Sequence, residues 1–416
     1  MILAHNLVQF NIIGILCAIM PGKRQISRGA SLYDVIIVGA GPTGSYIAYR
    51  LASLGYKVAV FEEHERIGEP VQCTGIVGAE CLERFPLFEG TVLGEVSSAR
   101  LFSPSRSEIR LWRDSIQAYI IDRATFDQAL AENAQRQGAH YLLGSRVRDV
   151  AVWKDRVRIA TESQEAFEAK SIVIASGFSS KIPQRLGLGK VSDFVIGAQA
   201  EVNTNGQSEI EVYFDQGVAP GFFAWSVPTA EQKALVGLFS RRNPGGHLRD
   251  LLSALLQQGK IASPEAKITY GGIPLKPLLK TYRERVLVVG DAAGQVKPTS
   301  GGGVYYGLLC ADVAADTLDQ ALTTNSFSEK LLSGYQKAWQ ERIGGELKIG
   351  YLARRFYGGL TNHQIDYLFR TIKSKGIHQS LLQSPELSFD WHSKIILKIF
   401  KHLGPWSHLF ARGGKV

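Results

Sequence analysis

Residues 33–63 read YDVIIVGAGPTGSYIAYRLASLGYKVAVFEE, and this stretch decides the fold. The apolar run from Tyr33 to Val38 is rich in β-branched residues and predicts a buried parallel strand. Small and apolar residues at helical spacing from Ser45 to Leu54 predict a helix that Gly55 ends. Lys57 to Phe61 predicts a second buried strand. A strand, a helix and a strand in this order indicate an α/β fold with a parallel sheet.

A glycine-rich run joins the first strand to the helix. A G-x-G-x-x-G run alone more often marks a tight turn, but this one lies between a strand and a helix, and the acid Glu62 follows 23 residues after Gly39. Gly39 permits the turn, Gly41 lets the backbone approach a pyrophosphate, and Gly44 allows close helix packing. Glu62 would accept hydrogen bonds from both ribose hydroxyls and would disfavour a 2′-phosphate. The run therefore predicts a dinucleotide site, which fits NAD and FAD equally.

A second glycine-rich segment selects between these cofactors. Arg285 to Val289 predicts another buried strand, which runs into Gly290 and Asp291 and then into Gly301 to Gly303 before a predicted helix from Val304. Asp291 would hold ribityl hydroxyls, and the dipole of the helix would stabilise negative charge on a reduced flavin ring. The competing interpretation is an ordinary turn with an N-capping Asp291. We interpret the two segments as halves of one FAD site.

Composition excludes several classes of protein. The chain has 416 residues with 47 Lys and Arg against 38 Asp and Glu, and 45% hydrophobic with 20% charged residues is typical of globular proteins rather than disordered or fibrous ones. The cysteines, Cys17, Cys73, Cys81 and Cys310, are too few and scattered for a disulfide framework, and no C-x-x-C pair exists to hold zinc or a cluster. We therefore expect a cytoplasmic, metal-free protein. A pI near 9.2 is compatible with an anionic membrane surface, and no nucleic-acid partner is expected.

The chain divides into four predicted regions. Residues 1–32 form an N-terminal extension, residues 33–181 and 271–330 a discontinuous FAD-binding domain, residues 182–270 an inserted antiparallel or mixed sheet that roofs the substrate, and residues 331–416 a helical C-terminal region. The extension contains the apolar run LVQFNIIGILCAIM, but no basic residue precedes it. A start codon assigned too early, or a disordered extension, is therefore preferred over a signal or anchor. After the first twenty residues, no apolar window is long enough for a spanning helix.

Three stretches carry a resemblance to a known family. They are Pro70–Ile76 (PVQCTGI), Pro220–Pro228 (PGFFAWSVP) and Gly290–Tyr306 (GDAAGQVKPTSGGGVYY). From about residue 33 to 351 the chain resembles the geranylgeranyl reductase family, flavoenzymes of the para-hydroxybenzoate-hydroxylase-like architecture. The middle stretch is similar to the family's P-x-x-Y-x-W-x-F-P signature, with Phe223 for Tyr and Val227 for Phe, so an apolar wall is kept and a phenol is lost. The first stretch is most similar to the archaeal branch, which hydrogenates digeranylgeranylglycerophospholipids.

The resemblance also implies site residues. Arg123, taken by itself, is either a surface residue at a helix start or a donor to the cofactor, and the resemblance favours the second. The FAD contacts that it implies are Thr43, Glu62, Cys73, Thr74, Ile76, Arg123, Val147, Asp291, Gly303 and Val304.

The implied chemistry makes two demands on the protein. Isolated C=C bonds have no neighbouring carbonyl to accept charge, so hydride delivery must be coupled to proton delivery, and the protein must offer a dry channel and a proton source. Aromatic residues suited to the channel wall are Phe222, Phe223, Trp225, Tyr305 and Tyr306, although such clusters are also ordinary core. Cys73 is the candidate acid or proton relay, against the alternative of a buried small hydrophobe.

Other classes of flavoprotein remain open from the residues alone. An FAD monooxygenase could use the same fold, but such enzymes usually carry Asp-Gly where this chain has Ser176-Gly177. A quinone-linked or electron-transfer flavoprotein would want a cluster, for which cysteines are lacking. Because there is one dinucleotide fingerprint, the reductant is expected to be a transient partner, namely nicotinamide, a deazaflavin or ferredoxin.

The tail from Trp391 interleaves basic and apolar residues with Trp406 and Phe410. This pattern fits a helix in a lipid headgroup layer, and it equally fits a C-terminal helix packed on its own domain. Peripheral attachment to the inner face of the cell membrane is the corresponding expectation.

Overall fold

The computed structural model describes residues 32–85, 90–230 and 232–403. The predicted N-terminal extension lies outside these residues apart from Leu32, and so do Trp406 and Phe410 of the predicted tail.

The first sheet contains the glycine-rich run at the end of its central strand. Strand β1 (Tyr33–Val38) pairs in parallel with β2 (Val58–Phe61) and with β11 (Ala166–Ile174), as predicted for buried apolar runs. The remaining members are β8 (His140–Leu142), β9 (Val147–Val152), β10 (Val157–Thr161), β17 (Tyr282–Arg283) and β18 (Val286–Val288). Within the described residues the sheet has eight strands, in the order β17-β18-β11-β1-β2-β8, with β10 paired to β11 and β9 paired to β10.

The second sheet draws strands from a wider part of the chain than residues 182–270. Its strands are β5 (Ser98–Phe102), β6 (Glu108–Trp112), β12 (Phe194–Asn203), β13 (Ile210–Tyr213), β14 (Ala224–Ala230), β15 (Lys233–Ser240) and β16 (Thr269–Pro274). In the part of the chain that is described, these seven strands have the order β16-β12-β15-β14-β13-β5-β6. All neighbours are antiparallel except β5 and β13, which pair in parallel with Ile210 opposite Ala99. A hairpin from the preceding region therefore extends the predicted sheet.

A small third sheet joins β3 (Ile76–Gly78), β7 (Ala118–Ile121) and β4 (Val92–Val96). Strand β3 begins at Ile76 of the PVQCTGI stretch, so this sheet holds one end of the loop that carries Cys73.

Helices cover the first sheet and form the C-terminal region. Helix α1 begins at Pro42, three residues before the predicted start, because proline is favoured in the first helical turn. The side chain of Asp122 caps α3 by accepting hydrogen bonds from the backbone N–H groups of Ala124 and Thr125. The helices are α1 (Pro42–Ser53), α2 (Ala79–Arg84), α3 (Arg123–Arg136), α4 (Ile182–Arg185), α5 (Pro244–Gln257), α6 (Val304–Thr323), α7 (Glu329–Trp339), α8 (Gly345–Gly358), α9 (Asn362–Ser374), α10 (Ile377–Leu382) and α11 (Ser393–Leu403), with a 3-10 turn at Gly290–Ala293 and a π-helical turn at Gln340–Gly344.

Burial explains how the layers are held together. The strand β1 sends Val35 and Ile37 into a core shared with α1, α3 and α6, whereas Ile36 packs on the opposite face with β10 and β18. A separate core, which includes Val236 and Leu238, lies under the second sheet against α5. The predicted α/β fold with an inserted, mainly antiparallel sheet and a helical C-terminal region is confirmed. Within the described ranges, no helix combines the length and the apolar character that crossing a bilayer requires.

Candidate functional site

A large cavity opens at the carboxyl end of β1. Its volume is about 1530 Å³, and its walls come from both large sheets and from the segment that precedes and begins α11. Single-ligand pockets usually have volumes of roughly 300 to 1,000 Å³. The cavity is therefore large enough for a dinucleotide together with a second molecule.

The glycines of the fingerprint have three different environments. A Cβ atom on Gly39, whose φ is +104°, would collide with the carbonyl oxygen of Ala175, and one on Gly44 would collide with the carbonyl oxygen of Gly39. A Cβ atom on Gly41 would meet nothing within 4 Å, and Gly41 lines the cavity. The tight turn, the close helix packing and the open backbone approach thus lie where the sequence predicted them.

Glu62 is fixed at the edge of the cavity by its neighbours. Its Oε2 accepts a hydrogen bond from the backbone N–H of Ala40 at 2.8 Å, and its Oε1 accepts one from the backbone N–H of His64 at 3.1 Å. The Nδ1 atom of His64 lies 2.6 Å from the same Oε1. The carboxylate therefore keeps one orientation towards the fingerprint turn.

Asp291 lies in the 3-10 turn that follows β18. Its burial raises the pKa of its carboxyl to about 6, and the charge of Arg123 opposes this rise. A Cβ atom on Gly303 would lie 2.7 Å from Asp291 Oδ1, so only glycine allows the helix start to approach this carboxyl. Gly303, Val304 and Asp291 all line the cavity.

Thr43 brings the two glycine-rich segments together. A Cβ atom on Gly290 would lie 2.9 Å from Thr43 Oγ1, and one on Gly307 would lie 2.5 Å from the same atom. The N-terminus of α1 therefore contacts both the end of β18 and the first turn of α6, as two halves of one site require.

Cys73 and Arg123 lie together in the cavity wall. Arg123 donates from Nε to Asp127 Oδ1 at 3.1 Å and from Nη2 to Oδ2 at 2.9 Å, and both side chains are largely buried. Burial disfavours the charge on Arg123, but Asp127 and then Cys73 outweigh it, so the pKa of Arg123 is raised. The half-buried Cys73 Sγ accepts a hydrogen bond from the backbone N–H of Gly75 at 3.4 Å. Arg123 thus lines the cavity with a largely buried side chain and does not lie on the open surface.

The remaining predicted cofactor residues also line the cavity. Thr74 Oγ1 donates to Gln199 Oε1 at 3.0 Å, which ties the cysteine loop to β12 of the second sheet. Ile76 and Val147 contribute apolar surface from β3 and β9.

An aromatic cluster from the second sheet forms an apolar wall. The rings of Phe223 and Trp225 lie 6.0 Å apart, and Phe239 lies 4.7 Å from Trp225 and 5.4 Å from Phe223. A Cβ atom on Gly237 would lie 2.5 Å from Trp225 Cζ2, so this glycine lets the indole lie against β15. Phe223 and Trp225 line the cavity, as predicted for a channel wall.

Tyr305 and Tyr306 lie elsewhere, and this corrects their expected place in the channel. Both belong to the first turn of α6 and bury their side chains in the core, where Tyr305 donates to Glu80 Oε1 at 2.5 Å and Tyr306 donates to the carbonyl of Asp390 at 3.0 Å. Neither residue lines the cavity, and the same holds for the buried Phe222. On α6 the helical turn directs Val304 to the cavity and the next two residues to the core.

The structure adds a part-buried polar pair that local sequence patterns did not reveal. Thr299 Oγ1 lies 2.6 Å from His392 Nδ1, and His392 Nε2 lies 2.8 Å from the carbonyl oxygen of Phe389. Burial and then the charge of Lys297 lower the pKa of His392 to about 4. The ring is therefore neutral at pH 7, Nε2 donates to Phe389, and Nδ1 accepts the proton of Thr299.

Ser176 provides an independent sign that a ligand belongs here. Its Oγ is buried in the cavity wall, and it has no hydrogen-bond partner in the described part of the chain. Buried polar groups are rarely left unpaired, so we expect a ligand in the cavity to form a hydrogen bond with the hydroxyl of Ser176. Among residues 32–85, 90–230 and 232–403, no cluster of His, Cys, Asp or Glu has the arrangement of a metal site.

Known proteins are similar to this sequence over most of its length. Residues 34–371 match the family model described as lycopene cyclase protein. A digeranylgeranylglycerophospholipid reductase of Methanocaldococcus jannaschii is 32% identical over 81% of this chain and 90% of its own. The reductase of the same name from Methanothrix thermoacetophila is 30% identical over 83% of this chain and 92% of its own.

Solved structures share the fold. A geranylgeranyl bacteriochlorophyll reductase-like protein from Thermoplasma acidophilum superimposes with a TM-score of 0.80 at 23% identity, over 92% of this chain and 99% of that one. A halogenase crystallised with phloroglucinol and FAD gives a TM-score of 0.63 at 13% identity, over 91% of this chain and 90% of that one. The architecture is thus one that flavoenzymes use.

Proposed function

Because this chain belongs to the geranylgeranyl reductase family, together with the digeranylgeranylglycerophospholipid reductases, we propose that it is an FAD-dependent reductase of isoprenoid chains. It hydrogenates isolated C=C bonds in the geranylgeranyl chains of a membrane lipid or lipid precursor. In reaction class it is an oxidoreductase that acts on CH–CH groups.

One observation carries this proposal. The dinucleotide fingerprint with Gly41, the loop that carries the Cys73 thiol, and the aromatic wall with Trp225 all line the same cavity. A hydrophilic substrate would find few partners along this wall, whereas a prenyl chain would bury apolar surface against it.

The residues fit FAD in two ways. Gly41 leaves open space beside the start of α1, where backbone N–H groups can receive a pyrophosphate, and Ser176 offers an unpaired hydroxyl in the same cavity. When bound and reduced, FAD would supply a hydride, that is two electrons and one proton, to one carbon atom of the double bond. The residues proposed to hold it are Gly39, Gly41, Thr43, Gly44, Glu62, Cys73, Thr74, Ile76, Arg123, Val147, Asp291, Gly303 and Val304.

The protein's own side chains would then serve the substrate. Phe223 and Trp225 contact the prenyl chain and exclude water, so a proton must come from a group in the wall. Cys73 is that group in this proposal, because it lines the same cavity and its loop is tied to the second sheet by the hydrogen bond from Thr74 to Gln199. Arg123 lies beside it and is held in place by Asp127.

The partners follow from the same site. Since the single fingerprint is assigned to FAD, the electron donor is a transient visitor, either nicotinamide, a deazaflavin or ferredoxin. The lipid substrate brings the protein to a membrane surface, where Lys394, Lys398 and Lys401 of α11 offer positive charge to anionic headgroups. Anaerobic mixing of the oxidised protein with each donor in turn identifies the one that bleaches the flavin.

Lipid mass spectrometry tests the function. The chain is expressed in a host that makes a geranylgeranylated lipid, and we expect new lipid species heavier by two hydrogens for each reduced bond. A matched control is Gly303→Leu, whose side chain would displace Asp291 and close the flavin end of the cavity. Lipid profiles that are identical with and without the chain would contradict the proposal, and products heavier by one oxygen would instead support the monooxygenase alternative.

A further inference from the structure

Adjacent residues of the helix α11 lie in two different environments, the cavity and the solvent. Ile395 and Ile396 line the cavity, whereas Leu397 does not line it and is 48% exposed. Successive residues of an α-helix point about 100° apart, so one face of α11 contributes to the cavity and the other faces solvent. A helix almost four hundred residues along the chain therefore closes the wall of a site that begins at Gly39.

The start of α11 is held firmly in place. Glu346 Oε2 accepts hydrogen bonds from the backbone N–H groups of His392 at 2.9 Å and Ser393 at 2.8 Å, and Oε1 accepts one from the hydroxyl of Ser393. Carboxylates bonded to the first N–H groups of a helix fix its starting point. The hydrogen bond from Thr299 to His392 ties the same turn to the loop before α6.

The segment before α11 is fixed to the second sheet. Arg113, just after β6, donates from Nη2 to the carbonyl oxygens of Leu382 at 2.8 Å and Ser384 at 2.5 Å, and from Nη1 to that of Leu387 at 3.2 Å. Leu382 and Leu387 also line the cavity. The part of the cavity wall formed by this segment and α11 therefore resists displacement by a bound prenyl chain.

A second apolar wall of the cavity, formed by Phe223, Trp225 and Phe239, is packed ring against ring. Packed aromatic side chains adjust little without loss of contact. With two fixed walls, the room for an apolar chain depends on the volume of the side chains that these walls present to the cavity.

We propose that Ile396 of α11 sets the length of prenyl chain that the cavity accepts. This inference rests on the proposed function, because the prenyl chain whose length Ile396 would limit is the substrate of the proposed reductase. Ile396 acts by contact with the distal part of the chain and takes no part in electron or proton transfer.

The test compares two tryptophan variants on the same helix. Wild type, Ile396→Trp and Leu397→Trp are reduced anaerobically with dithionite and given a glycerophospholipid with geranylgeranyl chains or a matched one with geranyl chains. We expect Ile396→Trp to lose about 10- to 100-fold in kcat/KM on the geranylgeranyl lipid, as for a chain displaced by roughly 1 Å, and to stay within about twofold on the geranyl lipid. Leu397→Trp should match wild type on both.

Each result is decisive. Equal loss on both lipids by Ile396→Trp, or equal behaviour of the two variants, would overturn the inference. If Ile396→Trp fails to retain flavin, Ile396→Ala replaces it, and its rate on a chain one isoprene unit longer, relative to the geranylgeranyl lipid, should rise about threefold or more. An unchanged ratio would overturn the inference. Wild type that reduces neither lipid would contradict the proposed function itself.

Discussion

Lys297 Nζ lies 2.8 Å from Asp390 Oδ1, and the two side chains are only 5% and 2% exposed. This pair joins the loop between β18 and α6 to the segment that precedes α11. Together with the hydrogen bonds of Arg113 and Glu346, it holds the C-terminal segment at the cavity, and neither residue of the pair stood out in the sequence.

We expect Asp390→Ala to lower the free energy of unfolding by about 3 to 5 kcal/mol, because it leaves a buried lysine charge unpaired. Glu201→Ala is the matched control, since Glu201 pairs with Lys233 at the same 2.8 Å on the surface, and should cost about 1 kcal/mol or less. Urea unfolding followed by tryptophan fluorescence measures both. Equal losses in the two variants would show that the buried pair contributes no more than the exposed one.

Glu62→Ala should weaken FAD binding without unfolding the protein. Charge-assisted hydrogen bonds are worth roughly 1.5 to 3 kcal/mol each, so the dissociation constant should rise about tenfold or more. Titration of the cofactor-free protein with FAD, followed by flavin fluorescence, gives this constant. Glu95→Ala, at an exposed position outside the cavity, serves as the control and should bind FAD as wild type does. Unchanged affinity in Glu62→Ala would remove Glu62 from the site.

Cys73→Ala should retain FAD and accept electrons from dithionite, yet reoxidise slowly with prenyl substrate. Positioned acid catalysis contributes about 10² to 10⁴-fold, so single-turnover reoxidation without oxygen should slow by that factor. Cys81 is buried in the core away from the cavity, and Cys81→Ala should reoxidise at the wild-type rate. If Cys73→Ala also does so, Cys73 is a packing residue and the proton comes from elsewhere.

Trp225→Ala should impair turnover of a C20-prenylated lipid and leave the flavin spectrum intact, because Trp225 belongs to the wall from the second sheet. Tyr306→Phe should change turnover little, since its hydroxyl bonds the carbonyl of Asp390 in the core. Steady-state kinetics on one lipid compare the two variants. A larger loss in Tyr306→Phe than in Trp225→Ala would reverse the assignment of these residues.

The cofactor-free protein should lose stability as the pH rises from about 4 to about 6. The pKa of Asp291 is raised in the folded state from 3.8 to about 6, so in this interval the folded state binds more protons than the unfolded state. Two pKa units correspond to about 3 kcal/mol. Asp291→Asn, which carries no charge, should lack this part of the decline in urea unfolding between pH 4 and 7. Parallel pH profiles of the two proteins would contradict the raised pKa.

Local sequence patterns predicted those parts of the site whose residues lie close together in the sequence. The strand–glycine–helix order around Gly39 and Gly303 needs only neighbouring residues, and both segments line the cavity as expected. The prediction that the aromatic pair after Val304 forms channel wall was wrong, because two adjacent aromatic residues in a sequence do not show which side of a helix faces the core. His392 could not be found, since its partner Thr299 lies 93 residues earlier and no motif links them.

The parallel pairing of β5 with β13 bears on how the chain can fold during synthesis. Residues 99 and 210 are direct neighbours in that pairing. In the first sheet, β11 can pair with β18 only after the chain has been synthesised beyond residue 286. Long loops must therefore close before either sheet is complete, which slows folding and favours a late, concerted step. A ribosome-bound chain ending near residue 181 would hold the β5–β6 hairpin as an unpaired edge, exposed to other chains. We expect truncation at that point to yield aggregated protein and not an independent flavin-binding fragment.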